Sequence, residues 1–295
     1  MYPSEFEYFA PRTVAEAVRL LDQYGDAAKI LAGGQSLIPM MKLRIATPQC
    51  LIDVNRIEGL GGLRREGDRL VIGALCRHVE MASSPLVAEL PILADAAALT
   101  ADVQVRNRGT VAGSVAHADP AGDWPAALMA LETAVTIAGP AGSRVVPLND
   151  FIVDAYTTGL AGNEMLTELS VRIPAAPRGG AYAKFERRAG DFASASVGVQ
   201  IEVDGDRCRT AAISLGALGS TPIRARAAEQ RVLDAASAVD ALGDAERLVR
   251  EAAEPFADTR GSVEYKRHLA GVLFRRAFMA ALERARGRRV ATLHP

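Results

Sequence analysis

The chain has 295 residues, 49% hydrophobic and 23% charged, with a net charge of −1 at pH 7. That length supports two or three domains with cores of their own and the composition excludes a disordered chain, while the mixed, near-neutral charge lacks the basic footprint of a nucleic-acid binder. The longest apolar runs fall short of the roughly 18 residues of a membrane span, and MYPSEFEYFAP lacks the basic start and apolar core of a secretion signal, so the expected location is cytoplasmic.

From the amino end, Val14, Ala17, Val18, Leu21 and Tyr24 recur at helical spacing, with Thr13 placed to cap the start and Gly25 the end. AAKILA reads as a buried strand, Gly33-Gly34 as a turn, the next stretch as a helical pattern interrupted by Pro39, and CLIDVN as a second strand. Together they predict a small α/β unit over residues 1–56.

From Gly59, GGLRREGDRLVIGAL predicts two short strands joined at Gly67-Asp68, and Ser84-Pro85 opens a helical region continued by Ile92, Leu93, Ala96 and Leu99. VRNRGTVAGSVAHADPAGDWP, residues 105–125, is polar, rich in glycine and hydroxyls, and reads as a long loop. Pro125 then opens a short helix, TAVTIAG and SRVVPL pair around a Pro-Ala-Gly turn, and MLTELSVRIP closes the unit, giving 57–175. The last part, 176–295, begins with AYAKFERR, continues with two strands around Asp204-Gly205-Asp206, a strong hairpin signal, and ends in three helices. Strands followed by helices argue an α+β fold rather than a continuous parallel sheet. The basic run Arg284 to Arg289 reads as a solvated helix end, where cations meet the dipole favourably.

The chemistry-bearing candidates are few. A strand, a glycine turn and Asp53 some 20 residues on mimic a dinucleotide fingerprint, but the Gly-x-Gly-x-x-Gly spacing is absent, Pro39 stands where a helix should run, and Asp53 reads as a strand-end residue bonding its own turn. In the second glycine stretch, Gly109, Thr110, Gly113 and Ser114 offer N–H groups and hydroxyls to phosphate oxygens, and Asp123 offers an acceptor to a sugar or ribityl hydroxyl. Two such segments suit a dinucleotide. His117, Asp119 and Asp123 lack the spacing of a metal site, and Cys50, Cys76 and Cys208 are too dispersed for zinc or an iron–sulfur cluster, so no metal is expected here. Cys76 with His78, two apart on a predicted strand, has no third orienting group and reads as a buried thiol rather than a nucleophile. YAKFERRAGDF gathers Lys184, Arg187 and Arg188 on a predicted strand. It is either an exposed edge protected by charge or a place where a cation stabilises a reduced flavin and Phe192 covers its ring.

AGGQSLIP, TVAGSVAHADPAGDWP and KFERRAGDFA, in this order and spacing, resemble the FAD-binding medium subunits of the molybdenum hydroxylases, which include carbon monoxide dehydrogenase medium chains and the flavin domain of xanthine dehydrogenase. DTRGSVEYKRHLAGVLFRRA extends the resemblance to the carboxy-terminal domain. It implies a vanillyl-alcohol-oxidase-type (PCMH-type) α+β fold, in which subdomains 1–56 and 57–175 hold FAD and domain 176–295 closes over the flavin. By position, Ile30, Leu31, Ala32, Gly33, Gly34, Gln35, Ser36 and Leu37 resemble the first pyrophosphate loop, and Thr110, Val111, Ala112, Gly113 and Ser114 the second. Asp123 matches the acceptor of a cofactor hydroxyl, Leu166 (or Leu169) the residue whose backbone meets the flavin, Lys184 the basic residue beyond Pro174, and Thr100 a further position lining the cofactor. The family pattern Thr-Ile-Gly-Gly-Asn is here Thr110-Val111-Ala112-Gly113-Ser114. Ala112 restricts positive φ, which bears on FAD retention.

The resemblance further implies an electron-transfer role, with no substrate acid–base residues in this chain. A large molybdopterin subunit oxidises the substrate, a small subunit relays electrons through two 2Fe–2S clusters, FAD here passes them to an external acceptor, and the whole forms a dimer of heterotrimers. The alternatives are a stand-alone flavin oxidase of the same fold, against which the chain shows neither a cap domain nor a tethering pattern, and a non-catalytic protein that has lost its cofactor.

Overall fold

The computed structural model describes residues 2–293. The first unit runs β1 (Glu7–Phe9), α1 (Val14–Tyr24), β2 (Ala28–Leu31), α2 (Leu37–Lys42) and β3 (Cys50–Asp53). Helix α1 has the expected caps: Thr13 accepts the Glu16 N–H, Gly25 closes the end at φ +52°, and Ala17, Val18 and Leu21 are buried. The strands form a wholly parallel sheet in the order β1-β3-β2. So α2 is a short crossover between parallel neighbours, and β2 is a half-buried edge rather than the buried strand that AAKILA predicts. Pro39 does not interrupt α2; it lies in the first turn, where its missing N–H is not needed.

The second unit comprises β4 (Leu63–Glu66), β5 (Arg69–Gly73), α3 (His78–Ser83), α4 (Pro85–Ala88), α5 (Pro91–Leu99), α6 (Val103–Arg108), α7 (Val111–His117), α8 (Asp123–Met129), β6 (Thr133–Gly139), β7 (Gly142–Pro147), α9 (Leu148–Phe151), β8 (Ile152–Asp154), β9 (Thr157–Thr158) and β10 (Met165–Arg172). An antiparallel sheet, β4-β5-β10-β6-β7, packs against these helices around Leu70, Ile72, Trp124, Phe151 and Leu169. Residues 105–125 are not one loop. Asp102 caps α6 through the Val105 N–H and Thr110 caps α7 through the Gly113 N–H, so Gly109 ends one helix and Gly113 lies in the first turn of the next.

The third unit places β11 (Arg178–Phe185), β12 (Ala195–Asp204), β13 (Arg207–Gly216) and β14 (Ile223–Arg224) in one antiparallel sheet, followed by α10 (Arg226–Asp234), α11 (Leu242–Ala252) and α12 (Val263–Ala285). One sheet face meets α12, burying Val197, Val199, Phe274 and Phe278; the other meets α8 of the second unit and carries polar residues. The edge strand β11 is not a charged, exposed edge. The Tyr182 N–H donates to Asp95 Oδ2 of α5, and Arg284 grips both oxygens of Asp95 at 2.6 and 3.0 Å. Arg284 is therefore a part-buried interdomain partner, while Arg286, Arg288 and Arg289 lie exposed beyond it as a solvated helix end.

Candidate functional site

The two glycine turns meet. A Cβ on Gly33 would lie 2.5 Å from Arg108 O and 2.7 Å from Gly109 Cα, so only glycine lets the backbones approach this closely. Gly34, at φ +73°, turns the chain into α2. Their hydrogen bonding differs. In the first turn, the main-chain N–H groups of Gly33, Gly34, Gln35, Ser36 and Leu37 have no protein acceptor among the described residues, and the Ser36 hydroxyl caps nothing. In the second, Gly109 donates to Val105 O, Val111 to Cys76 O, Gly113 to Thr110 Oγ1 and Ser114 to Thr110 O, while the Thr110 and Ala112 N–H groups have no protein acceptor among the described residues. The N–H groups predicted to be free at Gly109, Gly113 and Ser114 are thus spent within the protein. Val111 and Ala112 are buried on the inner side of α7, and Ala112, in helical backbone, needs no positive φ.

Around the turns lies a network without a sequence signal. Asn55 Nδ2 donates to Ala32 O at 2.9 Å, its Oδ1 accepts from Arg77, and Arg77 also donates to Arg108 O. Burial and the like charge of Arg108 press the Arg77 guanidinium below its ordinary value. Asp53 bonds its own turn as expected, accepting from the Asn55 N–H, and also accepts from Tyr8. Burial pushes its carboxyl up, but these hydrogen bonds and Arg108 outweigh it and hold it low.

Cys76 and His78 do not share a strand; they straddle Arg77 at the start of α3. Burial raises the Cys76 thiol to about 12 and lowers His78 to about 4. Neither is a nucleophile–base pair at neutral pH. His78 Nδ1 accepts from Trp124 Nε1 at 3.0 Å, which orients the neutral ring beside Gly109.

A buried ionic cluster fills the seam between α8 and β11. Lys184 Nζ, fully enclosed, lies 3.0 Å from Leu99 O, 3.1 Å from Asp123 Oδ2 and 2.9 Å from Glu186 Oε2. The last is an ion pair whose alignment is too poor for a hydrogen bond. Tyr182 donates to Asp123 Oδ1 at 2.8 Å. Burial pushes Asp123 up against the pull of Lys184, and raises Tyr182 strongly. Lys184 is therefore separated from Arg187 and Arg188, which lie exposed in the turn after β11. Among the described residues the buried hydroxyls of Ser194, just before β12, and Ser196, within it, have no hydrogen-bond partner.

Thr100 follows Leu99 directly; its hydroxyl donates to Ala96 O and its carbonyl accepts from Arg106. Gly190 packs against Ala101 and Asp102, which brings the loop carrying half-exposed Phe192 to the start of α6. Leu166 is buried beside a bulge in β10, whose Thr167 carbonyl accepts from Ala74 N–H, while Leu169 is a core residue paired with Ile72 and Val135. His117 packs against Tyr156 with ring centroids 5.3 Å apart.

Comparison with known proteins follows the same lines. The family described as the FAD binding domain in molybdopterin dehydrogenase matches residues 4–176, and the CO dehydrogenase flavoprotein C-terminal domain matches 180–281. The chain is similar to the carbon monoxide dehydrogenase medium chain of Hydrogenophaga pseudoflava, with 44% identity over 96% of this chain and 99% of that one. It is 40% identical to the medium chain of Afipia carboxidovorans over 97% of this chain and 100% of that one. A solved carbon monoxide dehydrogenase from H. pseudoflava, lacking the Mo-pyranopterin moiety of its molybdenum cofactor, superposes with a TM-score of 0.94 at 45% identity, covering 96% of this chain and 99% of that chain. Among the described residues no helix is long and apolar enough to cross a membrane.

Proposed function

The chain belongs to the family of FAD-binding subunits of molybdopterin dehydrogenases, an oxidoreductase family, and from that membership we propose that it is the FAD-carrying electron-transfer subunit of a heteromeric molybdenum hydroxylase. In this reading a small subunit delivers electrons from its 2Fe–2S clusters, a large molybdopterin subunit oxidises the substrate, and an external acceptor takes the electrons from this chain. Domains 1–56 and 57–175 hold the cofactor and 176–295 closes over it, in a dimer of heterotrimers in the cytoplasm.

The observation that carries the reading is the run of unspent N–H donors from Gly33 to Leu37, set against the second turn. Such a donor set, with the free Ser36 hydroxyl, fits a pyrophosphate. Residues Ile30 to Leu37 are the donor half of this site; Thr110 to Ser114 form its wall, with Thr110 holding α7 in place. Asp123 keeps unused lone pairs for a cofactor hydroxyl while Tyr182 and Lys184 fix its orientation. Lys184 holds the Asp123 and Glu186 carboxylates in place at the seam, and Thr100, Leu166 and Phe192 are assigned, by their position in the family pattern, to the lining of the cofactor. FAD, when bound, accepts electrons singly and releases them in pairs.

The test is direct. Protein purified with its neighbours should absorb near ~450 nm, where oxidised flavins absorb, and release FAD on denaturation. Colourless protein that takes up no added FAD refutes the proposal, and recovery of the tagged chain only as a lone active oxidase refutes the subunit assignment.

A further inference from the structure

We propose that Arg77, with Asn55, is a positioning residue that fixes the spacing of the two turns and so sets the affinity for the pyrophosphate part of the flavin nucleotide. This rests on the FAD reading above.

The geometry is a continuous strap. One amino group of the Arg77 guanidinium donates to Arg108 O in the second turn, and the other to Asn55 Oδ1. Asn55 Nδ2 continues the chain to Ala32 O, at the entry to the first turn. The Arg77 main chain is itself fixed, by a bridge to Thr110 and by its N–H donating to Glu80 Oε2. Both turns are thus gripped by carbonyls, and no N–H from Gly33 to Leu37 is consumed in holding them. A planar guanidinium serves two acceptors at fixed separation; a lysine ammonium of equal charge on a flexible stem does not.

Charge points the same way. Among the described residues neither Arg77 nor Arg108 forms an ion pair, although Arg77 is half-buried and the two press on each other. Asp53 and Glu80 attract these cations without forming an ion pair with either, and a polyanion bound beside the donor-rich turn adds to that attraction.

The full chain, stripped of flavin, is titrated with FAD, ADP and riboflavin by calorimetry or flavin fluorescence. Arg77→Lys and Asn55→Ala should each weaken FAD and ADP about tenfold or more, the loss of a charge-assisted hydrogen bond, and leave riboflavin, which has no pyrophosphate, unchanged. Wild type that binds FAD while both variants match it overturns the strap alone. So does riboflavin weakened as much as FAD, because that marks general support of the fold. Wild type that takes up no FAD overturns the reading beneath it, and the strap with it.

Discussion

Replacing Lys184 by methionine probes the buried seam. The ammonium is fully enclosed and lies within 3.1 Å of Leu99 O, Asp123 and Glu186. Without it Asp123 keeps only the Tyr182 hydroxyl and Glu186 only the Gly190 N–H, so two buried carboxylates face each other unpaired. Breaking a buried pair in this way costs about 3–5 kcal/mol, a fall of roughly 10 °C in the midpoint of the apo protein. The pH dependence has a definite sign. Asp123 is already raised by burial and Lys184 is the chief group opposing the rise, so its loss lifts the folded-state value further while the unfolded value stays put. Between the two values the native state binds more protons than the unfolded chain, and stability falls as pH rises through that window. The deficit of Lys184→Met against wild type should therefore be larger at the alkaline end of the range in which both proteins fold, and shrink as the pH falls and Asp123 takes up its proton. Adding Asp123→Asn should recover part of the loss at the higher pH, since removing both partners costs less than orphaning one. Thermal unfolding across this range checks it; an equal deficit at both ends refutes the reasoning.

The Asp95–Arg284 latch joins α5 to α12 and also receives the Tyr182 N–H. Asp95→Ala should lower the urea midpoint by an amount equivalent to about 3 kcal/mol, and adding Arg284→Met should cost little more; strictly additive losses would show that the pair is not coupled. Ala112→Gly, which restores the family residue, should cost about 1 kcal/mol because Ala112 is a buried helical residue. Its FAD affinity in titration should match wild type, and tighter binding would show that the second turn needs a conformation this structure does not give it.

The elements legible in the sequence are those with local signals. Helix α1 has both caps within its own stretch, and the Asp204-Gly205 hairpin and the turn at Gly67 announce themselves. Helices α6 and α7 were less legible because VQVRNR and VAGSVAH are short and rich in β-branched residues and glycine; the caps Asp102 and Thr110 were the available signal, and much of the remaining support is tertiary, as in the Val111 N–H reaching Cys76 O. Glycines, acid and lysine of the site could be picked out by type and motif. Their state could not: the burial of Lys184 depends on Asp123, 61 positions away, and that of Arg284 on Asp95, 189 positions away. Asn55 and Arg77 carried no motif at all, since their role consists entirely of long-range contacts to carbonyls of the two turns.

The two turns, alike in composition, are unlike in the state of their donors, and this decides where binding energy for an anion resides. A donor already bonded within the protein contributes nothing new to a ligand unless that bond is broken first, at a cost comparable to what the ligand returns. The second turn has spent Gly109 N–H on closing α6 and those of Val111, Gly113 and Ser114 on building α7 and docking it to Cys76, and among the described residues only Thr110 and Ala112 N–H are left without an acceptor. It is mainly a wall. The first turn has spent none from Gly33 to Leu37, and the approach of Gly33 to Arg108 O sets those donors at a fixed distance from the wall. Affinity therefore belongs mainly to the first turn and geometry to the second. That division explains how the second turn accommodates Ala112 and Ser114 in place of the family's glycine and asparagine: a wall must keep its shape, which a helical alanine preserves, whereas a donor turn must keep its N–H groups free.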